Sequence, residues 1–354
     1  MKNTLPCFVF QKKNCFILIK SLKIDFEHSQ SAHCENGAVS NLLRFHNLDL
    51  SEPMVFGIGS GLFFSYLPFV KLNGLPASSY RILPGWIFKR VTHRLGIQMH
   101  TATFNNPEKA MRSLDETLEK GLPVGILTSV FYLPYLPKAL RFHFNAHNIV
   151  VFGKEKDNYL VSDPVGDSTV EISYEDLKRA RFAKGTLAPK GKMYYPVKMP
   201  ETIDLASSIK KGIKKTAKDM VNVPVHFFGI KGIRFMAKSI HKWPKRLSEK
   251  EGILRLGQLI RMQEEIGTGG AGFRFIFAAF LQEAAVVLNN PALKDISKEM
   301  TETGDVWREF AFEAGRVCKG RAASDVSFAY LSEILLNCAD REEKIFKQLK
   351  SMPL

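Results

Sequence analysis

Acidic residues are in short supply in this chain. It carries 35 Asp and Glu against 50 Lys and Arg in 354 residues, a formal charge of +15 at pH 7. Cysteine is scarcer still: Cys7, Cys15, Cys34, Cys318 and Cys338 are scattered, odd in number and free of CxxC or Cys/His ligand spacing. That pattern argues against a disulfide framework or a zinc site and makes a reducing cytoplasm the expected compartment. No uncharged apolar run reaches membrane-spanning length. The two apolar patches at the start, Leu5 to Phe10 and Cys15 to Ile19, are split by Gln11-Lys12-Lys13-Asn14, and no small-residue cleavage site follows. Residues 1–22 are therefore read as an edge strand or an N-terminal extension rather than a signal peptide. Internal repeats and low-complexity segments are absent as well. So are helix-turn-helix, zinc-finger and RNP-type aromatic patterns, which leaves the excess charge without a specific nucleic-acid partner.

What is present fits a protein of about two domains, each with its own core, since 45% of the residues are hydrophobic. The first two hundred residues mix helix and strand signals. Val39, Leu42, Leu43 and His46 share one face of a helix expected after Cys34. The glycine-interrupted run Met54–Phe69 reads as strand, tight loop, strand. Asn106–Gly121 is an amphipathic helix with Pro107 in its first turn, and the apolar run after it is a buried strand. Asn148–Phe152 and Tyr159–Ser162 flank a polar turn and read as a hairpin. Beyond the Pro196–Pro200 region long helical patterns take over, for example Phe273–Leu288 and Ala323–Leu349. The expected architecture is an α+β domain over 23–198 followed by an all-helical domain over 199–354.

Cys34 stands where a helix begins. A helix N-terminus and a nearby imidazole both lower a thiol's pKa, and the thiolate is the nucleophile. The hairpin can supply the imidazole and the group that orients it. If Gly153 pairs with Asp157 across a Lys154-Glu155-Lys156 turn, His147 falls opposite Asp163 on one face of the sheet. Helix-borne Cys, strand-borne His, then Asp after the next strand is the chain order of papain-like enzymes.

The stretches AHCENGAV, SEPMVFGIGSGLFFSY, NAHNIVVFG and YLVSDP together resemble the N-terminal domain of the butirosin biosynthesis protein H family. EEIGTGGAGFRFIFAAFLQEAA resembles the helical domain that commonly follows it. The resemblance implies a papain-like cysteine fold used for acyl transfer, from a carrier-protein thioester to an amine, and its spread runs from about residue 23 onward. By position it makes Cys34 the nucleophile, His147 the general base and acid, and Asp163 the residue orienting His147. It also implies a phosphopantetheine thioester donor, on an acidic acyl carrier protein or coenzyme A, a small-molecule amine acceptor and no bound cofactor. A papain-like oxyanion donor before the cysteine is sought in Gln30, with His28 and His33 also near; Gln30 is otherwise a loop residue.

Other stretches keep two readings each. Gly57 and Gly59 either permit a tight turn or form a glycine wall against an acyl chain or pantetheine arm. Glu52 is a turn residue or an amine-binding carboxylate. The 267–275 glycine-rich stretch is a helix–helix connection or a phosphate site at a helix start. Arg274 within it covers the helix end or pairs with a carboxylate of a ligand. The basic run from Lys210 to Lys250 is a solvated face, a dock for an acidic carrier protein, or a surface touching anionic lipid. The leading expectation is a Cys34-dependent acyltransferase. A papain-like peptidase or amidase, and a non-catalytic basic binding protein, are the alternatives.

Overall fold

The computed structural model describes residues 22–72, 74–323 and 326–354. Cys7, Cys15 and nearly all of the expected N-terminal extension lie outside the described residues. In chain order the elements are β1 (Leu22–Lys23), α1 (Cys34–Phe45), α2 (Glu52–Ile58), β2 (Leu62–Leu72), β3 (Leu75–Arg81), α3 (Trp86–Arg94), β4 (Gln98–Ala102), α4 (Pro107–Leu118), β5 (Val124–Thr128), β6 (His147–Glu155), β7 (Asn158–Ser162), β8 (Val170–Ser173), α5 (Tyr174–Arg181) and β9 (Met193–Lys198). Helices follow: α6 (Leu205–Asn222), α7 (Gly229–Lys242), α8 (Glu249–Ile260), α9 (Arg274–Val287), α10 (Ala292–Cys318) and α11 (Phe328–Ser351). No described helix is long and apolar enough to cross a membrane.

One antiparallel sheet runs β4-β9-β5-β6-β7-β8, with β1 added to β6; β2 and β3 form a separate hairpin. The helix α1 lies against β6, buried at every residue from Cys34 to Leu43. A cysteine-bearing helix packed on an antiparallel sheet that carries a histidine is the papain-like layout, and the chain is α+β with a helical C-terminal part.

Two cores hold this together. One lies between the sheet and α4 and α5, around Met111, Leu114, Ile126, Ile149, Tyr159 and Leu177. The other joins α1, α2, the β2–β3 hairpin and α3 to all six C-terminal helices without a break. Strands end at Lys198, but apolar packing does not divide there.

Three local expectations need correction. Met54–Ile58 is helical rather than a strand, because the Ser51 hydroxyl caps α2 by accepting from the Met54 N–H at 3.1 Å and Pro53 sits in its first turn. The hairpin turn is Lys156–Asp157 and not Lys154–Lys156: Glu155 pairs with Asn158, and Lys156 takes φ 55°. The helix α11 starts at Phe328, capped by the Ser327 hydroxyl, and not at Ala323.

Candidate active site

The segment leading into Cys34 is fixed before the helix starts. The Ser31 N–H donates to the Pro164 carbonyl at 2.7 Å, and Asn41 Nδ2 to the Ser29 carbonyl at 3.0 Å. Both oxygens of Glu52 accept backbone N–H groups, from Ala32 at 2.9 Å and His33 at 2.8 Å. Glu52 is thus not free to bind an amine; it clamps the two residues before the thiol. His33 is the N-cap of α1, its Nδ1 accepting from the Asn36 N–H at 3.4 Å. Burial first, and then Arg81, hold His33 well below the ordinary imidazole pKa. The first-turn N–H groups of Cys34 and Glu35 have no partner within the helix, which is the general condition of a helix start.

His147 opens β6 and Asp163 follows β7. A bulge between Val151 and Gly153 leaves Val150 opposite Ser162, so Asp163 continues the register opposite Ile149 rather than His147. The shift from the expected pairing is two residues, an even number, so Asp163 stays on the His147 face. The pair forms on the diagonal: His147 Nε2 and Asp163 Oδ2 are 2.8 Å apart. Tyr135 donates its hydroxyl to the same Oδ2 at 2.9 Å, and the Val165 N–H donates to Oδ1 at 3.2 Å. Tyr135 lies in the apolar stretch FYLPYLP, where no local pattern shows that its hydroxyl reaches a carboxylate.

With Nε2 engaged, Nδ1 of His147 is the nitrogen left for the Cys34 thiol, and this imidazole and the Asn148 backbone N–H both act on that thiol to favour its charged form. All three side chains are buried, Cys34 at 7%, His147 at 5% and Asp163 at 2% exposure. Burial is the largest influence on Cys34 and pushes its thiol up, but His147, the Asn148 N–H and Arg81 together bring it below its ordinary value. Burial likewise opposes a charged His147, and Asp163 and Cys34 overcome it, raising the imidazole well above 6.5. Burial also pushes the Asp163 carboxyl up, and it is outweighed by His147, Tyr135 and the Val165 N–H, so its pKa is lowered. The arrangement favours a thiolate–imidazolium pair with a carboxylate behind it.

Gly37 is what lets the pieces meet. A Cβ there would lie 2.5 Å from the Pro164 Cβ and 2.6 Å from that of Ser31, so the turn after Asp163 packs directly on α1. Glu35, next to the thiol, ties α3 to this point: it accepts from Arg81 Nη1 at 2.9 Å, the Gly85 N–H at 3.0 Å and the Phe88 N–H at 3.1 Å.

Several expected ligand-binding residues lie elsewhere. Gln30 is exposed and its amide donates to the Val165 carbonyl at 3.5 Å, so it is not held toward the thiol. His28 bridges Ser162 Oγ at 2.7 Å and the Gly166 carbonyl at 3.2 Å. Gly57 and Gly59 face helices and not a ligand: a Cβ on Gly57 would meet the Phe280 ring at 2.0 Å, and one on Gly59 would meet Ile87 at 2.6 Å. The 267–273 loop is a helix–helix connection lying on Ala32 and Tyr80. Its Ala271 N–H donates to the Glu264 carboxylate at 3.1 Å, so that donor is taken by a group of the chain itself. Arg274 is fully buried in an ion pair with Glu342 at 2.8 Å and touches no ligand space.

A helix-start thiol, a strand histidine and a buried carboxylate in line define a cysteine-enzyme-like domain. Residues 33–164 match the family described as Butirosin biosynthesis protein H, N-terminal. Residues 175–349 match a Domain of unknown function (DUF4872). No curated protein matches the sequence. Among solved structures, a Bacillus anthracis protein described as a C39-like peptidase aligns at 15% identity over 51% of this chain and 100% of its own, with a TM-score of 0.36. A superposition that loose carries no argument, and the fold rests on this chain's own geometry.

Proposed function

We propose that the protein is an acyltransferase in biosynthesis that moves an acyl group from a carrier-protein or coenzyme A thioester to a small-molecule amine through Cys34. The observation that carries this reading is the buried Cys34–His147–Asp163 line, with its thiol lowered and its imidazole raised. The Cys34 thiolate attacks the donor's thioester carbonyl, and the new oxyanion is met by the Cys34 N–H at the start of α1. Collapse breaks the donor's C–S bond, and the departing thiolate takes the proton from His147. The amine then attacks the Cys34 thioester, His147 accepts the amine proton, and the amide leaves with Cys34 restored as thiolate. Asp163 holds the ring with Nδ1 toward sulfur throughout, braced by Tyr135 and Val165. Near-complete burial of the thiol favours a positioned amine over bulk water as acceptor. The overall excess of basic charge suits an acidic carrier protein as donor, and a cytoplasmic setting suits a free thiol.

The test is intact-protein mass after mixing with acyl-carrier-protein and coenzyme A thioesters, beside Cys34→Ala. A gain of one acyl group, lost in the variant and discharged by an amine, is the expected result. No adduct with any donor, or discharge by water at the same rate with and without amines, overturns acyl transfer; in the second case hydrolysis replaces it.

A further inference from the structure

A well-formed cavity lies away from Cys34, none of whose neighbours line it. It lies between α3 and α6, holds about 780 Å³, and is lined by Trp86, Lys89, Arg90, His93 and Arg94 on one side and Lys211, Lys214, Lys215 and Lys218 on the other. Seven of these nine side chains are lysine or arginine. The Asp219 carboxylate beside them is already in an ion pair with Lys215. A cleft lined by one sign of charge focuses its field and concentrates counter-ions.

The groove is also built rather than merely charged. Arg94 is anchored by the Ile58 carbonyl and by Ser60 Oγ at 2.8 Å, and Arg90 by the Ser60 carbonyl at 3.2 Å. Partial burial, with the neighbouring Arg90 adding to it, brings Arg94 down to about 10. Lys89, Lys211 and Lys218 are exposed. At one end Trp86 is 48% exposed, with the Arg90 guanidinium 5.4 Å from its ring. Fixed guanidinium forks match phosphate oxygens bidentately, mobile lysines add charge, and an open indole offers a face to an aromatic ring. The volume falls within the range of small-molecule sites, and the concavity suits a compact ligand better than a protein face.

We infer that the α3–α6 groove binds a small, multiply phosphorylated anion, of the nucleoside oligophosphate or nucleoside bisphosphate class. The site stands apart from Cys34 and does not depend on the acyltransfer reading. Glu35, the residue after the thiol, accepts backbone N–H groups at the start of the same helix, α3, that carries Trp86 to Arg94.

The test is fluorescence titration of the full-length protein with tripolyphosphate and with adenosine 3′,5′-bisphosphate at two salt concentrations. Of the three tryptophans Trp86 is the exposed one, Trp243 being 4% and Trp307 0% exposed, so a change in emission reports the groove. Saturable binding is expected, weakened at least tenfold by Lys211→Glu/Lys218→Glu and left within twofold by Lys238→Glu/Lys242→Glu on α7, a control with the same change of net charge. The nucleotide is expected to bind more tightly than its phosphates alone predict, and Trp86→Ala, read by calorimetry, removes that gain. No saturation by either probe, equal weakening by both double variants, or binding of acidic proteins without binding of either small anion overturns the inference.

Discussion

Two buried charge clusters, one in each half of the chain, behave differently. In the C-terminal half Arg274 Nε and Nη2 meet the two oxygens of Glu342 at 2.8 and 3.2 Å, Nη1 takes the Gly272 carbonyl at 2.7 Å, and the Trp307 N–H donates to Glu342 at 2.7 Å. The guanidinium lies over Trp307 and Tyr80, and both members of the pair are 0% exposed. Hydrogen bonds meet both carboxylate oxygens and all three guanidinium nitrogens, so the pair is locked in place. In the N-terminal half the cluster is a thiol, an imidazole and a carboxylate. The Cys34 thiol is lowered and the His147 imidazole raised, so a proton can sit on either, and both keep a small opening to solvent. Burial with a fixed charge is architecture; burial with a mobile proton is chemistry.

The comparison breaks most sharply at Cys34. Cys34→Ala is expected to lower the rate of acyl transfer by at least about 10³-fold while thermal melting moves little. Arg274→Met should do the reverse. Leaving Glu342 buried and unpaired costs about 3–5 kcal/mol in chemical denaturation, and Arg274→Met/Glu342→Leu should recover most of that loss.

Asp163→Asn sharpens the contrast through pH. The Asp163 pKa is lowered in the fold, so its contribution to stability is present above the ordinary 3.8 and is lost as pH falls through the lowered value. The stability gap between wild type and Asp163→Asn should therefore close in strong acid. His147 is raised, so its contribution is full below 6.5 and is lost as pH rises through the raised value. Alkylation of Cys34 by iodoacetamide should accordingly persist at pH 6, where an ordinary thiol has stopped reacting, and Asp163→Asn should abolish that advantage.

Smaller effects come from the supports. Glu52→Gln removes the charge that holds the Ala32 and His33 N–H groups. A drop in transfer rate of roughly tenfold is expected, in line with about 1.5 kcal/mol for hydrogen bonds to a charged group, with the melting temperature changed by only a few degrees. Tyr135→Phe removes one neutral donor from Asp163 and should cost about threefold, near 0.7 kcal/mol. An effect of Tyr135→Phe larger than that of Asp163→Asn would invert the proposed hierarchy.

Much of the candidate site could be read in the sequence because its parts are local. A cysteine ahead of a helical pattern, two β-rich runs around a polar turn and an Asp-Pro after the second run place Cys34, His147 and Asp163 on the right kinds of element. The turn was misjudged, yet a strand's period of two kept Asp163 on the correct face. Capping by Ser51 and Pro53 in the first turn of α2 were also local signals, outweighed in the reading by three glycines. Tyr135, Glu52 and Glu35 were not legible in their actual roles, since each acts on backbone or side chains 19 to 53 residues away.

The sequence by itself determined the element types, the order Cys–His–Asp and the strongly basic balance, since these follow from residue identity and short-range periodicity. Tertiary structure decided what each polar group faces. It turned Arg274 inward against Glu342, set Glu52 on the backbone before the thiol, and gathered scattered lysines and arginines of α3 and α6 around one groove. Those outcomes depend on how distant helices pack, and a charged side chain's role is set by the partners that packing supplies.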